Sequence, residues 1–108
     1  LGGDHPDTLM ARHNRAGAYE AAGRLVAAIE LFEHVLDDFR RVLGDDHPDT
    51  LTARNNLAYV YLSAGRRVAA VELFEQVLAD SRRVLGDEHS LTRAAERNLD
   101  SARRSDQD

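Results

Sequence analysis

The sequence predicts an all-α solenoid of antiparallel helix pairs, about two and a half repeats long and five helices in all. Two observations predict it. Leu1-Gly2-Gly3-Asp4-His5-Pro6-Asp7-Thr8-Leu9 returns as Leu43-Gly44-Asp45-Asp46-His47-Pro48-Asp49-Thr50-Leu51, and again as Leu85-Gly86-Asp87-Glu88-His89-Ser90. The offset of about 42 residues falls inside the range of roughly 20–50 that marks solenoids and arrays. About two thirds of positions are identical between the first two copies, so they are duplicates. Within each copy, apolar residues recur at helical spacing in two stretches separated by a glycine.

The copies divide into repeat 1 over 5–43, repeat 2 over 47–85, and a half repeat or capping helix over 89–104. In repeat 1 the markers are Tyr19, Gly23, Ala28, Phe32, Val35 and Gly44. Repeat 2 shows the scheme in full. Pro48 suits the first helical position, where a missing N–H costs nothing, and Asp49 faces the positive end of the helix dipole. Ala53, Leu57, Ala58, Tyr61 and Ala64 follow at helical spacing, and Gly65 ends the helix. A second helix from about Arg66 carries Ala70, Phe74, Val77 and Val84 on one stripe, with Val71, Leu78 and Leu85 beside it. Arg82 and Arg83 complement its negative end before Gly86. A short loop between two such helices makes an antiparallel hairpin.

Composition narrows the function. The formal charge of -5 argues against nucleic acid, which needs a basic stripe to release counterions. No Cys is present, so disulfide and thiol chemistry are out of reach. No apolar run approaches the roughly 20 residues that cross a bilayer, and no signal-like start is seen, so a cytoplasmic setting with no membrane contact is expected. All basic residues are Arg, which with abundant Ala suggests a high-GC bacterial genome. The chain opens without Met, inside the repeated pattern, and reads as a piece of a longer protein.

Asn56-Leu57-Ala58, Tyr61, Gly65, Ala70 and Phe74 resemble the tetratricopeptide signature of a helix A followed by a helix B. The long period and the Asp-His-Pro-Asp-Thr turn resemble the kinesin-light-chain-like branch, also common in bacterial regulatory proteins. The resemblance covers essentially the whole chain. It implies a right-handed superhelix with the A helices on its concave side. Four departures stand out: Arg15 replaces Leu57, Gly17 replaces Tyr59, Asp100 replaces Ala58 and Arg103 replaces Tyr61. Polar residues at packing positions fit helices lacking a neighbour on one side. Arg15 fits either that reading or a partner carboxylate.

Opposite the Leu57/Ala58/Tyr61 side, the second A helix carries Thr52, Asn55, Asn56, Tyr59 and Ser63. The first carries Met10, His13, Asn14 and Gly17 there, and the third Ala94, Arg97, Asn98 and Ser101. Asn14, Asn56 and Asn98 keep their identity while their neighbours drift. An Asn amide both donates and accepts, so such a row could grip an extended peptide by its backbone. The resemblance implies that role for these three. The alternative is that each Asn ties one helix to the next. His13, Asn55, Tyr59 and Arg97 would then set selectivity, Tyr59 as the anchor because Tyr is enriched at hot spots.

The Asp-His-Pro-Asp-Thr turns look like metal or acid–base material. His5, His47 and His89, however, recur once per repeat, at least one helix-packing distance of about 8–10 Å apart, whereas zinc ligands sit near ~2 Å from a shared ion. Helix capping explains the motif, and no metal or cofactor is expected. No nucleophile has a His at a motif spacing and no Gly-rich phosphate loop is present, so an enzyme is not expected. Pairs such as Asp38 with Arg41, and Asp80 with Arg83, read as solvated helix-face charges. The expected function is a protein-interaction module for an extended peptide or protein partner, a sensor or scaffold segment of a larger protein. The alternative is self-association, a homodimer formed through an exposed solenoid end.

Overall fold

The computed structural model of the chain describes residues 5–104. They form five helices: α1 (Pro6–Ala21), α2 (Leu25–Leu43), α3 (Pro48–Ser63), α4 (Arg67–Leu85) and α5 (Ser90–Arg104). No strand occurs among the described residues. None of these helices is long and apolar enough to cross a membrane.

The repeated turn is a capping device. The His5 ring Nδ1 accepts from the Asp7 N–H at 3.1 Å, and His47 accepts from Asp49 at 3.0 Å. His89 does the same for Leu91 at 3.0 Å, so the cap survives the loss of proline at Ser90. One of the free N–H groups at the start of α1, α3 and α5 is thereby satisfied. Between α2 and α3 the backbone passes through Gly44 at φ 90° and ψ 160°, a region open essentially to glycine alone. Gly86 repeats this at φ 90° and ψ 163° between α4 and α5.

Each helix packs mainly against its neighbours in the chain, as an antiparallel solenoid requires. The shortest extent of the molecule is 18 Å, about two helix diameters at ~10 Å each, so the helices lie in two layers. Leu9, Ala28, Phe32, Val35, Leu36, Phe39, Leu57 and Val60 fill the first part of the core. Ala58, Ala70, Phe74, Val77, Leu78, Ala95 and Leu99 fill the second. Within α4 the buried line runs Phe74, Val77, Leu78, Ser81. Val84, expected on that stripe, lies beyond Ser81, the last buried residue of α4, with 37% of its surface exposed.

The three A helices differ in how many flanks they bury. α3 sits between α2 and α4 and buries Ala53, Leu57 and Val60 along with Leu51, Arg54, Asn55 and Ala58. α1 buries Leu9, His13 and Ala16, the counterparts of the second set, and leaves Ala11, Arg15 and Ala18 exposed. α5 does the reverse. It buries Ala95, Leu99 and Ala102 and exposes Arg93, Glu96, Arg97 and Asp100 where the earlier repeats pack against their own B helices. Arg15 therefore stands on an open flank. It donates to the Tyr19 hydroxyl at 3.1 Å with its guanidinium 5.6 Å from the ring centroid, and no carboxylate pairs with it among the described residues.

Candidate protein-binding face

The residues singled out on the A helices separate by depth. His13 is 7% exposed, with its ring edge-on to Phe32 and Phe39 at centroid distances of 5.2 and 6.2 Å. Burial lowers its pKa below the ordinary 6.5, against the weaker pull of Asp49 in the other direction. The ring is thus held neutral. Its Nε2 lies 2.9 Å from Asn56 Nδ2, so the amide donates and the ring accepts. Asn56 is half-buried and spans from α3 to α1 through this bond.

Asn55, the repeat-2 counterpart of His13, is also 7% exposed, and its Oδ1 is buried without a hydrogen-bond partner. Phe39 of repeat 1 is matched in repeat 2 by Ser81, whose Oγ is likewise buried and unpaired. Thr52 and Asn98 are half-buried, while Asn14 and Arg97 are exposed. Tyr59 is the large side chain on this flank, 47% exposed, and its ring and hydroxyl make no hydrogen bond or ring contact among the described residues. The structure thus brings His13 and Asn56 together. It places His13 and Asn55 in the interhelical packing and leaves Asn14, Tyr59 and Arg97 at the surface.

Ionic cross-links hold this flank in shape. Arg12 on α1 donates to Asp38 on α2 at 2.7 Å, and Arg54 on α3 meets Asp80 on α4 at 2.9 Å. Hydrogen bonding from Arg12 keeps the Asp38 carboxyl below its usual range. Asp38 and Asp80 do contact Arg41 and Arg83 in their own helices, at 3.1 and 3.3 Å. Sequence spacing exposed those local pairs and missed the interhelical ones. A signal was available, since Arg12/Arg54 and Asp38/Asp80 are all retained between the duplicated copies. Arg83 also reaches Asp46 in the turn before α3, with bonds of 2.7 and 3.1 Å that hold the Asp46 carboxyl low.

On the other side of α3, the Tyr61 hydroxyl donates to Glu33 at 2.6 Å. Burial, reinforced by the Glu33 charge, pushes the Tyr61 pKa up to about 12. Among the described residues no three His, Asp or Glu side chains converge as metal ligands would.

Comparison with known proteins agrees with this geometry. A model of the tetratricopeptide repeat matches residues 7–82. The chain is similar to a crystal structure of a Podosopora anserina protein described as a kinesin light chain with nearly identical TPR-like repeats. The identity is 35% and the TM-score 0.81, with 98% of this chain and 50% of that one covered. A point variant of that protein matches with the same identity and coverage and a TM-score of 0.83. The chain thus spans half the length of these solved relatives. No curated protein matches it. By repeat, by fold and by these likenesses, the chain belongs to the tetratricopeptide repeat family, whose repeats generally mediate protein–protein interaction on a non-catalytic scaffold.

Proposed function

We propose that this chain binds an extended segment of a protein partner along the flank shared by α1, α3 and α5, as a sensor or scaffold segment of a larger protein. The exposure of Tyr59 carries this reading. A large aromatic ring on the helix with neighbours on both sides is left 47% open, with no partner for its hydroxyl among the described residues. Tyr in that condition is the side chain most suited to anchor a partner. Asn14 and Asn98 flank it on the adjacent A helices with amides that both donate and accept. Asn56 has one amide group committed to His13 and supports the flank as well as lining it.

Self-association by stacking is less supported at the α5 end. There Arg93, Glu96, Arg97 and Asp100 take the positions of Leu51, Arg54, Asn55 and Ala58, and burying four such groups against another copy would carry a large desolvation cost.

The test is a selection of extended peptides from a random phage-displayed library on the immobilised chain. Selected peptides are then measured against Tyr59→Ala and the Asn14→Ala/Asn98→Ala double variant. Loss of an anchor predicts at least about tenfold weaker binding to Tyr59→Ala, with helicity unchanged. Peptides that bind both variants as tightly as the parent chain would overturn this assignment of the face.

A further inference from the structure

The interior changes character between the two repeats at one place. In repeat 1 the His13 ring of α1 meets the Phe39 ring of α2 edge to face, with centroids 6.2 Å apart. One repeat on, Asn55 of α3 and Ser81 of α4 take these two positions. Phe32, the other ring against His13, is kept as Phe74, so the aromatic ring is lost on the Phe39 side alone. There a phenyl group gives way to a hydroxyl. The change in volume is well above the ~30 Å³ that one water molecule occupies in the liquid.

Both polar replacements stay inside the protein. Ser81 is fully buried and Asn55 only 7% exposed. A third polar group joins them from α5. Thr92, also fully buried, holds the place of Thr50, whose Oγ1 lies 3.5 Å from the Phe39 carbonyl oxygen. The repeat thereby sets Thr92 beside Ser81, where α3, α4 and α5 all pack on one another. Asn55 Oδ1, Ser81 Oγ and Thr92 Oγ1 are buried, and none has a hydrogen-bond partner among the described residues. Each such group left unpaired would cost about as much as a lost hydrogen bond. Buried polar groups of this kind are what internal water binds, typically with about three hydrogen bonds per molecule.

We propose that the α3–α4–α5 junction is an internal water site, where a bound water joins Asn55 Oδ1, Ser81 Oγ and Thr92 Oγ1. The water donates to Asn55 Oδ1, which can only accept. Its second hydrogen and its lone pairs serve the two hydroxyls, each of which donates or accepts. Water then does in repeat 2 what ring contact does in repeat 1, tying the A helix to its B helix. It also adds a tie to the next A helix.

The test combines a crystal structure of the chain with urea unfolding of variants. The crystal is expected to show one ordered water within ~3.2 Å of all three oxygens. Thr92→Val keeps the shape of the side chain and removes its hydroxyl. With water bound, a hydrogen bond is lost and the midpoint should fall by about 0.5 M. An unpaired hydroxyl would give the opposite sign, since its removal relieves a desolvation cost. Ser81→Ala with Thr92→Val should cost less than the two single changes added, because the water they share is lost once. The change in helix propensity at Ser81 drops out of that comparison. The proposal is overturned by a midpoint that rises in Thr92→Val, or by strict additivity of the two changes. It is also overturned by a crystal structure in which the three oxygens bond only to protein groups.

Discussion

Asp38→Ala and Asp80→Ala delete the same group from the same kind of bond in two successive repeats. Each aspartate accepts from an arginine on the preceding A helix and from a second arginine three residues on in its own helix. The aspartates are similarly accessible, at 28% and 32%. The arginines they hold are not: the Arg12 side chain is 30% exposed and that of Arg54 only 5%. Without Asp38, water can hydrate the Arg12 guanidinium, and the loss should resemble that of a surface pair, about 1 kcal/mol or less. Without Asp80, Arg54 is a buried cation whose Nε already lacks a partner, and the loss should approach about 3 kcal/mol. The change in helix propensity on going to Ala is the same at both sites and cancels in the difference. A domain of this size holds roughly 5–15 kcal/mol in all, so only the second loss is a large share. Urea unfolding followed by helicity at 222 nm would resolve the two, since m near ~2 kcal/mol/M turns 3 kcal/mol into a midpoint shift of about 1.5 M. Replacing Arg54 by Leu together with Asp80→Ala should recover most of the loss, because no buried charge is then left unpaired. Equal losses for the two aspartates, or a larger one for Asp38, would refute burial as the deciding variable.

Three further outcomes are expected. His13 has a lowered pKa in the folded chain, so the unfolded chain binds more protons as pH falls through 6.5 and stability falls with it; well above 6.5 the contribution is constant. His13→Gln should flatten the slope of the urea midpoint between pH 5 and 7, and an unchanged slope would show that other groups set it. Gly86→Ala should cost about 1–3 kcal/mol although a Cβ there meets nothing within 4 Å, because the strain is in the backbone. Gly17→Ala, inside α1 with equally open space, should instead stabilise by about 0.5–1 kcal/mol, and thermal melts that ranked the two the other way would contradict this account of the glycines.

Local chemistry made the helices, their order and their ends legible without coordinates. A proline at N1 in the first two copies, a ring nitrogen two residues before an N–H in all three, and a glycine with φ near 90° at Gly44 and Gly86 each act over a few residues. The glycine between helices and the apolar period of each copy define the antiparallel pairs, and duplication then defines the array. Depth on the A helices was a different matter. His13 and Asn55 share a helical flank with Asn14, Asn56 and Tyr59, and periodicity alone puts all of them on one side. Whether that side is wet depends on which neighbour covers it. α2 covers His13 with Phe32 and Phe39, while Tyr59, one turn beyond Asn55, is left open. The fate of Arg15 followed the same rule, because the residue type says only that it is charged, and the absence of a described helix on its flank makes it a surface group. Sequence by itself therefore determined the repeat, the helices and the family. Tertiary structure alone decided which flank of each A helix is buried, because burial depends on the neighbours and not on the helix that carries the residue.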